Sequence, residues 1–293
     1  MNIAIQGMRR SSTTFLFDVL SADRRFTTWY EPLAAAQRKA VGGGSRMRDE
    51  DFFAPLREAR RRFRSGSEDD GSLNWGGPTD FDREIEPGLP DDVAAYLRFL
   101  MDSNEDSLLK FVRAWRKIPD LLRIDPDLLV LHIVRDPRDV ATSFLYGKGR
   151  KHAAAFTEED SFFRHPEGGG PRALQGVTLA DRLVERGEID CDPSAPTFEK
   201  LLALWDLHYR ATIEDLHDRS ITIRHEDLVI EPGATLDRID ALLDQPLSDS
   251  SRRWIARNVQ AQRRVHHLEH PAWAAAARRL GVDETMTKLG YHL

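Results

Sequence analysis

The chain has 293 residues, of which 41% are hydrophobic, and it is long enough to bury a large core as one α/β domain with insertions. Its formal net charge of -6 argues against a general nucleic-acid-binding protein, so any basic site must be local. The single cysteine, Cys191, excludes an internal disulfide and a cysteine-rich zinc site. The sequence shows no leader peptide and no run of eighteen apolar residues. We therefore expect a soluble, cytoplasmic protein without a transmembrane segment.

The first twenty residues have the layout of a phosphate-binding loop. A short apolar strand over 2–5 is followed by a polar turn, QGMRRSSTT over 6–14, and then by an apolar-faced helix over 15–20. Main-chain N–H groups at a helix N-terminus attract anions, and serine and threonine hydroxyls add donors. The Gly-Lys-Ser/Thr ending of nucleotide-triphosphate loops is absent, and Arg10 stands in place of its lysine. The pattern also fits an ordinary helix N-cap of serines and threonines.

A second short strand, predicted over 24–30, ends at Glu31 and Pro32. A carboxylate at the end of a strand, close in sequence to a phosphate loop, is well placed for chemistry in an open α/β sheet. A solvated surface acid or a helix N-terminal charge is the commoner role of a glutamate. The chain is less regular over 34–90, where we predict a charged helix over 52–63, with its arginines on a solvated face, and a mobile loop over 65–77.

Predicted helices and strands alternate through the middle of the chain. Helical spacing over 91–101 precedes an apolar strand over 108–112, which carries Lys110 near its carboxyl end. A helix over 118–124 leads to the most apolar strand, over 128–134. Arg135 follows this strand at once, and Ser143 lies on the next helix. Both residues are therefore expected on the ligand-binding side of a parallel sheet.

The second half of the chain begins with an insertion over 146–196, a length that is typical of functional lids. An amphipathic helix over 197–216, a strand over 221–223, a helix over 235–243 and a helical remainder follow. Strands that alternate with helices predict a parallel α/β sheet. The side chains predicted to point inward from the 197–216 helix are Leu201, Leu204, Trp205, His208 and Ile213.

Three separated motifs together resemble those of the sulfotransferases that use 3′-phosphoadenosine 5′-phosphosulfate (PAPS), in particular the carbohydrate and bacterial-type branch. Residues 7–14 resemble the family's 5′-phosphosulfate loop, although Ser12 stands where a glycine is usual. Residues 134–143 (VRDPRDVATS) resemble the motif whose arginine, and serine eight positions later, bind the 3′-phosphate. Residues 224–228 (RHEDL) resemble the Arg-Tyr-Glu-Asp-Leu signature, with His225 in place of the tyrosine near the adenine. The resemblance covers essentially the whole core in the right order.

This resemblance implies a three-layer P-loop-type α/β fold, a single domain over 1–293 with a central parallel β-sheet flanked by helices. The insertions at about 34–90 and 146–196 are expected to shape the acceptor site. The implied reaction moves a sulfuryl group by in-line displacement from PAPS to a hydroxyl of a small molecule, glycan or glycolipid. The product is adenosine 3′,5′-bisphosphate (PAP), and no metal is expected.

The resemblance also implies residue roles. Arg10 and Lys110 neutralise charge on the leaving 5′-phosphate, and together with Glu31 they are the predicted catalytic residues. Because glycine in such a loop allows a positive φ, its replacement Ser12 is expected at a negative φ. The residues predicted to bind the nucleotide are Arg10, Ser11, Ser12, Thr13, Thr14, Phe15, Arg135, Ser143 and His225.

The predicted general base is Glu31. The small-molecule branch carries a histidine two positions beyond the lysine of its Leu-Leu-Lys strand, and Val112 occupies that position here. Residues 30–33 (YEPL) resemble the Glu-Pro-Leu stretch of carbohydrate and many bacterial-type enzymes, some of which use an acid near this point. His152 and His165 of the insertion are the alternatives.

Two other functions stay open at this point. A P-loop kinase or nucleotide hydrolase is disfavoured because Gly-Lys-Ser/Thr is missing and the fourth strand leads into Arg135 instead of an acid. A catalytically inactive nucleotide-binding protein of the same fold is hinted at only by Ser12 and His225.

Overall fold

The chain groups into two compact units, each built from several segments. Unit 1 takes Met1–Gly7, Ser12–Ile133 and Asp215–Val259, and unit 2 takes Met8–Ser11, Val134–Glu214 and Gln260–Leu293. The prediction of a single domain over 1–293 stays a prediction. The structure, a computed structural model, describes residues 1–34, 47–65, 73, 81–103, 105–147, 150–165, 171–243, 245–259 and 265–293.

A five-stranded parallel β-sheet forms the centre of unit 1, with strand order β2-β3-β1-β4-β5. β1 pairs in parallel with β3 and β4, and β3 pairs in parallel with β2. Each strand predicted from the sequence is present, and the predicted central parallel sheet is confirmed. The strands are β1 (Asn2–Gln6), β2 (Thr27–Tyr30), β3 (Ser107–Phe111), β4 (Leu129–Val134) and β5 (Ser220–Arg224).

Helices cover both faces of this sheet because successive side chains of each strand point to opposite faces. Ile3 and Ile5 of β1 pack into one apolar core, whereas Ala4 packs into the other. Unit 1 is therefore a three-layer arrangement, as predicted. The helices of the first core are α1 (Thr13–Ser21), α10 (His225–Ile230), α11 (Pro232–Asp240) and α12 (Asp249–Asn258). The helices of the second core are α2 (Met47–Phe63), α4 (Asp91–Asp102) and α5 (Ile118–Ile124); the short α3 (Asp82–Ile85) lies between α2 and α4 in the chain.

Unit 2 is helical and is organised around α9 (Thr197–Glu214), which packs against every other α-helix described in this unit. Of the predicted inward side chains of α9, Ile213 is half-buried and the other four are buried. A helix that is buried on most of its circumference is fixed by its neighbours on several sides. Those neighbours are α6 (Pro137–Tyr146), α7 (Glu159–Phe163), α8 (Pro171–Glu185), α13 (Pro271–Arg279) and α14 (Val282–Lys288).

The two predicted insertions contain helices. The segment over 146–196 contains α7, α8 and a 3₁₀ turn at Ala153–Ala155, and the segment over 34–90 contains α2 and α3. Most of the loop predicted over 65–77 lies outside the described residues. Within the part of the chain that the structure describes, no helix is both long and apolar enough to cross a membrane.

The prediction of a solvated arginine face on α2 was wrong at Arg60. Its side chain is 2% exposed, and its Nη2 donates to the main-chain oxygens of Pro32 at 2.7 Å, Ala34 at 2.8 Å and Leu73 at 3.1 Å. Buried carbonyl groups need donors, and a guanidinium offers five N–H groups on one side chain. Arg60 therefore fastens the chain that leaves β2, together with Leu73, to α2.

His132 of β4 is a buried titratable group. It is 1% exposed, and neither ring nitrogen has a hydrogen-bond partner among the residues of the ranges given above. Burial, together with the nearby His217, lowers the pKa of His132 to about 3, because the interior disfavours the charged imidazolium. His132 is therefore neutral in the folded protein, whereas an unfolded chain takes up a proton there near pH 6.5.

We predict that this histidine makes folding acid-sensitive. The unfolded state binds the extra proton between the two pKa values, so stability begins to fall as the pH drops below about 6.5 and keeps falling to about 3. Between pH 7 and pH 5 the loss from this one group is about 2 kcal/mol. Urea unfolding of His132→Leu should lack this loss, whereas His292→Leu, a change at an exposed histidine, should keep it. An equal pH dependence in the wild type and His132→Leu would contradict the prediction.

Candidate functional site

Gly7 directly follows β1, and no side chain fits there. A Cβ at this position would lie 2.5 Å from the carbonyl oxygen of Ile133 and 2.9 Å from Cγ2 of Thr13. These distances are shorter than real Cβ contacts, so any other residue would push β4 or α1 away. Gly7 is thus required for the close approach of β1 to its neighbours.

In the loop after Gly7, two residues other than glycine have a positive φ. Arg10 has a φ of 75°, and Ser12, the N-cap of α1, has a φ of 69° and a ψ of 23°. The prediction of a negative φ for Ser12 was wrong. The chain enters α1 through a left-handed residue, and no glycine stands between Met8 and Ser12 to take that conformation. A left-handed residue with a Cβ costs about 1–2 kcal/mol, and such strain is concentrated at functional sites.

The first turn of α1 carries the predicted threonines. Thr13 is buried, and the hydroxyl of Thr14 lies 3.1 Å from that of Tyr30. Ser12 makes no side-chain capping hydrogen bond, and no acidic residue stands in this turn. The positive end of the helix therefore has no carboxylate of its own in the turn, which suits an anion. Phe15 faces the core, with its ring centroid 5.4 Å from that of Trp254.

At the carboxyl ends of β2 and β3, Glu31 forms a buried ion-pair cluster with two cations. Its Oε1 accepts a hydrogen bond from the Lys110 ammonium, and its Oε2 accepts one from Nη1 of Arg113 at 2.8 Å. The Lys110 nitrogen also lies 4.6 Å from the centre of the Tyr30 ring. Glu31 has a positive φ of 53°, so it too is held in a left-handed conformation. The sequence prediction did not include Arg113 among the site residues. Its position directly after the strand that carries Lys110 could have suggested it.

In unit 2, residues of the first and second motifs are in contact. Nε of Arg10 donates to Oγ of Ser143 at 2.9 Å, and Nη1 of Arg135 donates to the main-chain oxygen of Arg10 at 3.3 Å. Ser143 lies on α6, and Arg135 lies between β4 and α6. The arginine and the serine of the predicted 3′-phosphate motif therefore both reach the predicted 5′-phosphate loop.

The two arginines of the second motif differ in their partners. Arg138 forms a two-pronged pair with Asp136, through Nε at 3.0 Å and Nη2 at 2.7 Å, while the same carboxylate caps α6 by accepting from the Arg138 N–H. Arg135 is equally buried, with a weaker contact of 3.7 Å to Asp139. Its Nε has no hydrogen-bond partner within the described parts of the chain. Arg138 is thus committed to the fold, whereas Arg135 retains donor capacity.

The third motif joins β5 to α10. His225 begins α10 and is half-buried, and Leu228 is buried in the first core of unit 1. The Arg224 guanidinium lies 3.9 Å from the Asp227 carboxylate, and both side chains are partly exposed. Leu228 therefore belongs to the packing of this core, and His225 lies half-buried at the start of α10.

The alternative bases of the 146–196 segment lie in unit 2. His152 lies against Gly147, where an added Cβ would come within 2.8 Å of the ring, and His165 packs edge-on against Phe156 at 5.3 Å. Among the side chains that the structure describes, no group of three or more His, Cys, Asp or Glu could hold a metal ion.

Sequence and structure comparisons identify the class of protein. The sequence matches the family model described as the sulfotransferase family over residues 2–163, which is more than half of the chain. The protein therefore belongs to the sulfotransferase family. No curated protein matches the sequence significantly.

The chain is similar to several solved structures of sulfotransferases. Sulfotransferase STF9 from Mycobacterium avium is 15% identical, with a TM-score of 0.50, over 100% of this chain and 77% of that one. A sulfotransferase domain from the curacin biosynthetic pathway is 14% identical (TM-score 0.49, 99% and 98% covered). Sulfotransferase STF1 from Mycobacterium tuberculosis H37Rv is 16% identical (TM-score 0.49, 99% and 76% covered). At 15% identity the similarity to STF9 concerns the fold alone.

We predict that Ser12→Gly stabilises the protein by about 1 kcal/mol, because glycine takes a left-handed conformation without the Cβ penalty. Ser248 gives a matched control, since it is also an N-cap serine without a side-chain capping bond but has a φ of -65°. Ser248→Gly should cost about a few tenths of a kcal/mol, the usual loss when glycine replaces an N-cap serine. Urea unfolding measures both, and a loss of stability in Ser12→Gly would show that the left-handed turn is not strained.

Proposed function

We propose that this sulfotransferase uses PAPS as its donor and transfers the sulfuryl group to a hydroxyl of a small molecule or a carbohydrate. The observation that carries the proposal is the contact of Arg10 with Ser143 and Arg135. The resemblance assigns Arg10 to the 5′-phosphosulfate loop, and Arg135 and Ser143 to the 3′-phosphate motif. Side chains suited to the two phosphates of one nucleotide thus lie together in unit 2, although more than 120 residues separate them in the chain.

The residues present fit such a donor. Arg135 keeps a buried Nε donor without a hydrogen-bond partner in the described chain, and a buried guanidinium is best satisfied by a phosphate oxygen. The N-terminus of α1 carries hydroxyls and no acid, as an anion requires. We assign the 3′-phosphate to Arg135 and Ser143, the 5′-phosphosulfate to residues 10–14 with Phe15 beside them, and the adenine to His225.

In the proposed reaction, PAPS supplies a sulfuryl group on an anhydride linkage to its 5′-phosphate. The acceptor oxygen forms a bond to sulfur while the bond between sulfur and the bridging oxygen breaks, and PAP leaves with the electron pair. Arg10 and Lys110 stabilise the charge that develops on the leaving phosphate. The main-chain N–H groups of the loop hold this phosphate in line with the acceptor.

Glu31 is the proposed general base, which takes the proton from the acceptor hydroxyl. Both of its oxygens accept hydrogen bonds from cations, so the acceptor hydroxyl has to approach a carboxylate that is already held in place. The ion pairs with Lys110 and Arg113 fix the orientation of the Glu31 side chain. A fixed carboxylate at a strand end is what a positioned base requires.

Two experiments separate this function from its rivals. Calorimetry should show that PAP binds without metal and that ATP with Mg²⁺ does not compete, whereas a P-loop kinase or hydrolase would show the reverse preference. Turnover of labelled PAPS over a panel of hydroxyl acceptors should then be measurable. PAP binding without turnover of any acceptor would favour an inactive nucleotide-binding protein.

We predict that Arg135→Ala weakens PAP binding by about 1.5–3 kcal/mol, the range for hydrogen bonds to charged groups. Adenosine 5′-phosphate, which lacks the 3′-phosphate, should bind the variant and the wild type equally. Arg61→Ala, at an exposed arginine of α2, is the control for loss of a positive charge. Ser143→Ala should lose less than Arg135→Ala. An equal loss for both nucleotides would remove Arg135 from the 3′-phosphate site.

For Glu31→Gln we predict a fall in turnover of about two to four orders of magnitude and a loss of the acidic limb of the pH–rate profile, since the amide cannot take a proton. PAP affinity should barely change. Arg113→Gln is the matched control, because it breaks the same ion-pair cluster but keeps the carboxylate. It should keep the acidic limb. Intact turnover in Glu31→Gln would move the base to His152 or His165.

A further inference from the structure

The hydroxyl of Tyr209 on α9 holds both ends of the stretch Met8–Ser11. It accepts a hydrogen bond from the Met8 N–H at 3.3 Å and donates to Oγ of Ser11 at 2.8 Å. Tyr209 and Ser11 are both buried. Within this stretch the main chain forms one turn bond of its own, from the Ser11 N–H to the Met8 oxygen. The buried hydroxyl of Tyr209 therefore links the first and last residues of this turn.

Trp205, one helical turn earlier on α9, holds the second motif in the same way. Its indole Nε1 donates to the main-chain oxygen of Arg135 at 2.9 Å, and its ring centroid lies 5.0 Å from that of Tyr209. Residues four apart lie on the same face of a helix. One face of α9 thus carries both groups: the Trp205 indole N–H, which binds the second motif, and the Tyr209 hydroxyl, which binds the first motif. The sequence prediction named Trp205 as inward but missed Tyr209. Tyr209 could have been predicted to point inward because it lies four residues after Trp205.

We propose that Tyr209 and Trp205 are positioning residues, which keep the 5′-phosphate and 3′-phosphate motifs at a fixed spacing for one nucleotide. This inference rests on the proposed use of PAPS. Arg10 lies between the two residues that Tyr209 holds, and its left-handed φ of 75° needs support from its surroundings to persist. Trp205 fixes the main chain of Arg135, whose guanidinium reaches the main-chain oxygen of Arg10.

The position of α9 explains why such an arrangement would be rigid. The helix packs against α6, α7, α8, α13 and α14, so a shift of Tyr209 or Trp205 would disturb several packed interfaces at once. A site held on a rigid element keeps its geometry better than one held on loops alone. Residues 7–12 of the first motif and residues 135–136 of the second are short connections, and α9 supplies the fixed reference.

Tyr209→Phe keeps the ring and removes only the hydroxyl. We expect PAP to bind this variant about tenfold more weakly, while adenosine 3′-phosphate, which lacks the 5′-phosphate, binds it as it binds the wild type. Trp205→Phe should show the opposite selectivity: weaker PAP binding, but unchanged binding of adenosine 5′-phosphate. Tyr146→Phe, which removes another buried tyrosine hydroxyl of unit 2 from its contact with His266, should show neither selective loss.

A merely structural role would weaken all three nucleotides together, and that result would overturn the proposal. Unchanged PAP affinity in both α9 variants would overturn it too. Hydrogen exchange of the ligand-free protein gives a measurement that does not depend on PAPS. The amides of Met8 and Ser11 should exchange faster in Tyr209→Phe than in Tyr146→Phe, and equal rates would refute the role of Tyr209. If wild-type protein fails to bind PAP while this exchange difference is present, the proposed donor is wrong and the anchoring role stands.

Discussion

The candidate site depends on a turn between β1 and α1 that is made without a glycine at its left-handed positions. Gly7, the glycine of this loop, is used where β1 approaches β4 and α1, and a Cβ there has no room. The bending therefore falls on Arg10 and Ser12, at about 1–2 kcal/mol each. Hydrogen bonds and packing outside the loop must offset that cost, and a loop that is fixed in this way presents its donors with little further ordering. Less ordering on binding leaves more of the interaction energy for affinity.

The role of each charged residue in the site depends on its interaction partners as well as on its position in the sequence. Arg138 and Asp136 satisfy each other and serve the start of α6, so this arginine is structural. Arg135, three residues earlier, has weaker internal partners and a donor to spare. Glu31 carries the opposite charge and pairs with both Lys110 and Arg113. A carboxylate in such a cluster keeps two cations ordered as well as being held by them.

The sequence was sufficient for the architecture because the strands are short apolar runs and the helices have regular apolar spacing. β4 and α9 were predicted from those patterns alone, and the motifs pointed to the family. The sign of φ at Ser12 could not be predicted, because it depends on how the chain must enter α1. The burial of Arg60 and the role of Tyr209 depend on partners far away in the chain. Local periodicity shows which face of a helix points inward. It does not show which carbonyl or hydroxyl group a side chain on that face will contact.

The hydrogen bonds that Arg60 donates to Pro32, Ala34 and Leu73 all end on main-chain oxygens. A hydrogen bond to a carbonyl group does not depend on the side chain that the residue carries. The identities of Pro32, Ala34 and Leu73 can therefore change while these three hydrogen bonds are kept. The connection between β2 and α2 can thus diversify, or be exchanged for that of a homologue, while the direction in which the chain leaves Glu31 is preserved. Arg60 can therefore hold this segment whatever side chains the segment carries.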